Sequence, residues 1–299
     1  ENIIKRWNEN LKNILRMIKQ IQIGSFYHRL CRRLEPIYGK REAKDIVLLV
    51  LEMRFGVTMT DVVCGKLDEL GEAELTELER MMLRLERNEP VQYVLGKAYF
   101  GSDIYEVTPD VLIPRPETEA LCRWIVEETR DEKRLLDCCT GSGCIAITLK
   151  KRCPQLSVDA YDLSNAALDV ARRNAERLQQ DIHLFRMDAL NPVLAKGKYD
   201  IIVANPPYIC EQEKRDMRPN VLWFEPHEAL FVPDNDPLRF YMAITRYAVD
   251  ALNTGGRLYF EINPLFVEAL DVMMRRFGFR EIEVNNSFGY DRRMMKAKL

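Results

Sequence analysis

From Thr118 onward, stretches rich in strand formers alternate with stretches of helical periodicity, and few folds accommodate that order. Leu135–Cys139, Ser157–Asp162, Ile182–Asp188, Tyr199–Ala204, Arg257–Ile262, Arg280–Val284 and Arg293–Lys298 read as strands; helices fit at Cys144–Lys151, Asn165–Leu178, Pro237–Leu252 and Pro264–Phe277. Strands joined through helices lie parallel, and the crossover helices cover both faces of the sheet. The expectation is an α/β fold with an open, mostly parallel sheet of seven strands. In such a sheet a ligand binds beyond the carboxyl ends of the strands, so function should sit on the residues that end them.

The chain ahead of this region has a different character. From Ile3 to about Arg87 apolar residues recur at three- and four-residue spacing (Ile14, Ile18, Ile21; Ile46, Leu49, Val50, Met53; Leu75, Leu78, Met82, Leu85), with breaks near Gly24, Pro36–Gly39 and Gly56–Thr60. This spacing predicts a bundle of four or five helices, with Thr60-Asp61 and Gly71 supplying caps and turns. Between Pro90 and Pro116 the strand formers Val91, Tyr93, Val94, Tyr99, Phe100, Ile104, Tyr105 and Val107, punctuated by Gly96 and Gly101-Ser102-Asp103, predict a β-hairpin linker. The expected domains are therefore a helical bundle at 1–88, a hairpin linker at 89–116 and an α/β domain at 117–299.

The bulk properties narrow the function classes. No apolar run approaches the ~20 residues that span a bilayer, which predicts a cytoplasmic protein with no membrane partner. A net charge of −2 argues against holding nucleic acid mainly through its phosphates. The charge is uneven: residues 1–66 carry 13 Lys and Arg against 7 Asp and Glu, leaving the remainder acidic. A mildly basic module can face an acidic protein or RNA, though a solvated helical surface is the commoner explanation. None of the eight cysteines forms a C-x-x-C pair, so buried thiols in a reducing compartment are expected rather than disulfides or a metal site. His28, His183 and His227 lack the spacing of a triad or metal cluster and read as structural. The chain begins at Glu1 without methionine and nothing resembling a signal peptide follows, so the expectation is that the native start either was trimmed or lies outside this sequence.

The first strand of the α/β region ends in Asp137-Cys138-Cys139-Thr140-Gly141-Ser142-Gly143 and runs straight into a helix. Glycines there let the backbone approach a cofactor, and a helix start presents unpaired N–H groups. Asp162, ending the next strand, is placed to accept hydrogen bonds from both hydroxyls of a ribose. Asp188, ending the third, can meet an adenine amino group. The run Gly141-Ser142-Gly143-Cys144-Ile145-Ala146 satisfies G-x-G-x-x-G/A, so this half of the site leaves a nicotinamide dehydrogenase open.

The fourth strand delivers Asn205-Pro206-Pro207-Tyr208 to the same edge. Two consecutive prolines cannot continue a central strand or a helix, so the chain turns out into a fixed loop. The Asn205 side-chain oxygen and the Pro206 carbonyl then become two acceptors with little freedom. An NH2 on an amide or aromatic base has two hydrogens in one plane, and two rigid acceptors fix that plane and favour a nitrogen gaining positive character. Tyr208 is expected to pack flat against the acceptor group. A sulfonium methyl held over the glycine loop would face the nitrogen at roughly 3–3.5 Å. No catalytic base is needed, because the alkylated nitrogen loses its proton readily.

Glu89-Pro90-Val91-Gln92-Tyr93, the run Val107 to Glu119 that contains Ile113-Pro114-Arg115-Pro116-Glu117-Thr118, the Thr140–Gly143 loop, Asn205–Tyr208 and Glu225-Pro226 together resemble the HemK/PrmC family across most of residues 89–299. The resemblance implies a Rossmann-like S-adenosylmethionine-dependent methyltransferase sheet and a protein-(glutamine-N5) methyltransferase. Its acceptor would be the Gly-Gly-Gln glutamine of peptide chain release factors, in support of translation termination. S-adenosylmethionine would be the cofactor and S-adenosylhomocysteine the product, and the helical domain would help grip the release factor. By position, Cys139, Thr140, Gly141, Ser142, Gly143, Asp162, Asp188 and Ala189 would hold the cofactor, and Asn205, Pro206, Pro207 and Tyr208 the glutamine amide. Phe100, Arg115 and Thr118 would border the substrate pocket. No metal and no nucleic acid is called for, and the enzyme is expected to be a monomer.

Two departures stand out. Cys138-Cys139 occupies a place where the family more often has a small residue and glycine, which could narrow the cofactor loop. Glu261-Ile262-Asn263-Pro264 replaces a more usual Glu-Ile-Gly, and is expected to lie away from the chemistry. The main rival is methylation of adenine N6 or guanine N2 in nucleic acid, which presents the same planar NH2 after base extrusion. That class needs a basic channel, and the acidic α/β half argues against it.

Overall fold

The computed structural model describes residues 2–193, 198–285 and 292–299, with side chains from Phe26 onward except Asp68. The chain divides between Leu95 and Gly96 into two compact units. Among the described residues no helix is long and apolar enough to cross a membrane.

The first unit contains helices α1 (Asn2–Phe55), α2 (Met59–Cys64), α3 (Glu72–Leu85) and α4 (Val91–Leu95). The break expected at Pro36–Gly39 is a kink inside α1, where Gly39 adopts φ 75° and ψ 165°. The break expected near Gly24 is absent, since α1 runs through it; the side chains of Ile14, Ile18 and Ile21 lie outside the described residues. Thr58, rather than Thr60, caps α2: its hydroxyl accepts from the Asp61 amide at 3.3 Å while the Asp61 carboxylate takes the Thr58 amide at 3.0 Å. The Gly71 amide meets Glu74 at the start of α3 in the same way. Val91, Tyr93 and Val94 form α4 instead of the expected strand. Pro90 just ahead of the first turn accepts the Val94 amide, and its fixed φ suits a helix start. Leu34, Val50, Leu51, Leu67, Met82 and Leu85 are fully buried in this unit's core.

The second unit opens with the hairpin β1 (Lys97–Phe100) and β2 (Asp103–Glu106), closed by Gly101 at positive φ. Next come α5 (Pro116–Glu128), β3 (Arg134–Cys138), α6 (Cys144–Arg152), β4 (Ser157–Asp162), α7 (Asn165–Arg177), β5 (His183–Arg186) and β6 (Tyr199–Ala204). A connecting region follows, with β7 (Ile209–Cys210), a 3-10 turn at Glu211–Asp216, α8 (Pro219–Phe224), α9 (His227–Leu230) and β8 (Phe231–Val232). The unit closes with α10 (Arg239–Ala251), β9 (Leu252–Glu261), a 3-10 turn at Pro264–Phe266, α11 (Val267–Arg276), β10 (Arg280–Asn285) and β11 (Met294–Lys298). The seven-stranded sheet has the order β10-β11-β9-β6-β3-β4-β5 and is parallel except for β11, which is antiparallel to both neighbours.

Residue parity decides which face each strand residue serves. Leu136, Cys138, Ile202, Ala204, Leu258, Phe260 and Met295 pack with α10 and α11 on one face. Leu135, Ile201, Val203 and Tyr259 pack with α5, α6 and the hairpin residues Phe100 and Tyr105 on the other. Burial on both faces is why these strands read as continuous apolar runs. Strand order reverses between β3 and its neighbours β4 and β6, and a crevice opens beyond the carboxyl ends at that point.

Candidate active site

At the end of β3 the backbone enters the left-handed region three times in five residues, at Cys139 (φ 59°), Gly141 (φ 55°) and Gly143 (φ 80°). Cys139 holds a conformation that a glycine would adopt without strain, which accounts for the glycine expected at this position but not for the cysteine that stands there. Gly143 is packed as well as bent: a Cβ there would lie 3.0 Å from Ile147 and 3.1 Å from the Ala171 Cβ. At Gly141 a Cβ would meet nothing within 4 Å.

The loop is held from below and from the side. Thr140 donates its hydroxyl to Asp137 at 2.5 Å and the Ala146 amide meets the same carboxylate oxygen, while the other Asp137 oxygen is buried without a partner. Burial pushes the Asp137 carboxyl up to about 7. Asp162 accepts the Gly141 amide at 2.9 Å on one oxygen and the Ser164 amide at 3.0 Å on the other. Burial raises its pKa and those amides oppose the rise. Each Asp162 oxygen keeps a lone pair beyond the one spent on the backbone. Asp188 is fixed likewise by the Leu190 amide and the Asn191 side chain, both at 2.8 Å. Asn174, fully buried on α7, donates to the Ser142 and Glu106 carbonyls at 3.0 Å, tying loop to hairpin.

The proline corner is braced by residues far away in sequence. Tyr208 donates its amide to Leu230 at 3.3 Å, and the β7–β8 ladder continues from there. Its hydroxyl donates to Glu261 Oε1 at 2.9 Å, while Thr118 donates to Glu261 Oε2 at 2.6 Å. Asn205 Nδ2 donates to the Thr118 hydroxyl at 3.2 Å. No group among the described residues donates to Asn205 Oδ1. Burial lifts the pKa of Glu261, and its two hydroxyl partners oppose that shift. Asn263 adds a further brace, its Nδ2 reaching the Tyr208 carbonyl at 3.2 Å and Glu213 at 3.0 Å. The Glu261–Pro264 stretch, expected to lie away from the chemistry, is thus the support behind the corner. On the opposite rim, the buried Glu225 carboxylate takes the Ile113 amide at 3.2 Å and pairs with Arg115, holding the Ile113–Pro116 segment in place.

These pieces meet around one cavity of about 270 Å³, near the lower end of the ~300–1,000 Å³ usual for small-molecule sites. Of the residues singled out in the sequence, Arg115, Thr118, Cys139, Thr140, Gly141, Ser142, Asp162, Asp188, Ala189, Asn205 and Pro207 line it. Gly143, Pro206, Tyr208 and Phe100 do not. Gly143 starts α6, and Tyr208 directs its hydroxyl at Glu261. Phe100 is 3% exposed, edge-on to Tyr105 at 5.8 Å in the core. Asn174 went unselected in the sequence; Glu225 was noted only within the Glu225-Pro226 motif, and Glu261 and Asn263 only in a stretch expected to lie away from the chemistry. None was assigned a role, because a polar residue at a strand end or on a buried face does not name its partner. Six of the eight cysteines are buried as expected, but Cys64 is exposed and Cys139 is half-exposed at the cavity. Of the histidines, His183 lies 3.1 Å from Asp159 and His227 lies 2.8 Å from the Leu222 carbonyl, and neither lines the cavity, although His227 stands between the lining residues Pro226 and Glu228.

Comparison with known proteins gives a consistent result. The Methyltransferase small domain family matches residues 116–223 and the PrmC N-terminal domain family matches residues 27–96. The chain is 45% identical over 261 residues to the release factor glutamine methyltransferase of Bacteroides thetaiotaomicron, covering 87% of this chain and 94% of the relative. It is 36% identical over 280 residues to that of Flavobacterium psychrophilum, covering 92% and 98%. Among solved structures, the hMettl16 catalytic domain superposes with a TM-score of 0.51 at 18% identity, over 76% of this chain and 81% of that one, a likeness of fold alone.

Proposed function

The chain belongs to the release factor glutamine methyltransferase family, and from that premise we propose how its residues divide the work. It is an S-adenosylmethionine-dependent enzyme that methylates a glutamine of release factors; the nucleic-acid alternative is not favoured. The acceptor is the N5 nitrogen of a Gly-Gly-Gln glutamine, and the second product is S-adenosylhomocysteine. The cofactor supplies a methyl group already activated on a sulfonium.

The cavity suits such a ligand chemically. The open space over Gly141 lets a large ligand approach the backbone, and the Asp162 and Asp188 carboxylates keep lone pairs for hydroxyl and amino hydrogens. Thr140 to Ser142, Asp162 and Asp188-Ala189 hold the cofactor. Asn205 Oδ1 at the cavity wall takes one hydrogen of the glutamine amide, and the carbonyl of Pro206, which itself stands just behind the lining residues Asn205 and Pro207, takes the other and fixes its plane. Arg115 and Thr118 form the rim on which the substrate rests. The helical region, residues 1–88, grips the release factor, residues 89–116 link it and residues 117–299 carry out the transfer. The enzyme acts as a monomer in the cytoplasm, where it meets its release factor substrate.

The observation that carries this reading is that Asn205 and Pro207 line the same cavity as the Thr140–Ser142 loop and Asp162. Asn205→Ala should lower kcat roughly 100-fold or more while S-adenosylmethionine affinity stays within about threefold, a difference under ~1 kcal/mol. A release factor with Gln replaced by Ala in Gly-Gly-Gln should take no labelled methyl. Parallel loss of cofactor affinity and turnover in Asn205→Ala would contradict the assigned role.

A further inference from the structure

We propose that Glu261 and Thr118 are positioning residues that decide which way the Asn205 carboxamide faces. This rests on the reading that Asn205 Oδ1 accepts from the substrate amide. An asparagine side chain is nearly symmetric in shape, so a half-turn of the carboxamide exchanges an acceptor for a donor with little steric consequence. At this site the exchange matters, because a flipped Asn205 would set its own NH2 against the NH2 of the glutamine.

Hydrogen-bond polarity forbids the flip. An ionised Glu261 only accepts, so the hydroxyls of Thr118 at 2.6 Å and Tyr208 at 2.9 Å both have to donate to it. A threonine hydroxyl has a single hydrogen. Once it is committed to Glu261, Thr118 can only accept from a third group, and that group is Asn205 Nδ2 at 3.2 Å. The order Asn205 to Thr118 to Glu261 is therefore one-way, and Oδ1 is left as the group without a donor. The elements are placed for this. Thr118 stands in the first turn of α5 and Glu261 ends β9 on the face α5 covers; both are almost fully buried, at 3% and 1% exposure. Because Tyr208 is bound to the same carboxylate, one side chain fixes both ends of the four-residue corner.

The test uses the full chain with a release factor and S-adenosylmethionine, following kcat, KM and the equilibrium binding of S-adenosylhomocysteine. Thr118→Val keeps the shape and removes the hydroxyl, and should lower kcat roughly 10- to 100-fold with ligand binding within about threefold. Thr118→Ser should restore most of that loss. Glu261→Gln presents an NH2 to one of its hydroxyl partners and should also lower kcat, and the double variant should be no worse than the poorer single, because both act through one chain. If Thr118→Val turned over as fast as Thr118→Ser, if the two single losses multiplied, or if ligand binding fell in step with kcat, the proposal would be overturned. Should Glu261→Gln fail to fold, the Val and Ser pair decides alone. Asn205→Ala separates the levels: wild-type turnover in it sinks the reading of Asn205 itself, whereas an inactive Asn205→Ala beside a fully active Thr118→Val sinks only the relay.

Discussion

Gly141 and Gly143 sit two residues apart in one loop, yet alanine at each should fail in a different way. At Gly143 the added Cβ would lie 3.0 Å from the Ile147 Cδ1, 3.1 Å from the Ala171 Cβ and 3.3 Å from the Ala171 Cα, so the Ile147 side chain must turn aside and α7 must give by a few tenths of an ångström. Such overpacking costs about 1–3 kcal/mol, and alanine at φ 80° adds roughly 1–2 kcal/mol. Against this, alanine loses less freedom than glycine on folding, a gain of about 0.5–1 kcal/mol. The net for Gly143→Ala is a destabilisation of roughly 1–4.5 kcal/mol, centred near 3 kcal/mol. Gly141→Ala pays only the strain at φ 55°, offset by the same entropy, for a net of about 1 kcal/mol or less. Its methyl instead stands in the open space where the cofactor approaches, so its loss should show in S-adenosylmethionine affinity. Urea unfolding without ligand and calorimetric titration of the folded variants separate the two effects. Equal destabilisation by both alanines, or a Gly143→Ala that is as stable as wild type, would refute the packing argument; an unchanged cofactor affinity in Gly141→Ala would refute the placement of the ligand.

Asp137 should make stability fall with pH. Its carboxyl, raised to about 7 by burial, holds a proton in the folded chain that the unfolded chain releases near its ordinary pKa of about 3.9. The penalty is absent below about pH 4, grows as pH rises, and is complete above about pH 7, where it reaches at most ~4 kcal/mol. Asp137→Asn retains an acceptor for the Thr140 hydroxyl and the Ala146 amide, and should flatten the fall between pH 4 and 7; a Tm profile parallel to wild type would dispose of the idea. Cys139→Gly should leave stability unchanged or raise it by up to ~1 kcal/mol, since relief of left-handed strain slightly outweighs glycine's entropy. A clear drop in the urea midpoint would show that the thiol's packing against the core matters more than its backbone.

The parts of the molecule that were legible in the sequence are those written locally. The strand Tyr199–Ala204 coincides with the expectation because its apolar run is buried on both faces and stops ahead of two prolines, and Ser157–Asp162 does so because buried Val158, Ala160 and Tyr161 are set among more exposed polar residues. The ligand loop and the proline corner were legible for the same reason, since Gly141, Gly143, Pro206 and Pro207 constrain their own backbone. Val91–Leu95 was misread because strand-forming side chains say less than Pro90 about how the first turn begins. What stayed hidden was every partnership across the fold: Glu225 with Arg115, Asn174 with Glu106, and Glu261 with Thr118, 143 residues apart.

Glu261 shows why such partnerships deserve more weight than their invisibility suggests. It forms no ion pair among the described residues, and its carboxylate is fully buried with two hydroxyls as its only hydrogen-bond donors. Burying a charge without a directly paired cation is expensive even though Arg293 favours the charge from a distance, and a well-packed apolar side chain at the same place would stabilise the sheet more. The contribution of Glu261 is therefore better sought in direction than in stability. A carboxylate is the one side chain that can make two neighbouring hydroxyls donate at once, and a neutral isostere would leave their order undetermined. The corner built from Asn205 and two prolines is stiff by its own covalent structure, but stiffness sets only where its polar atoms lie. Which of those atoms is oxygen and which is nitrogen depends on the acid at the end of β9.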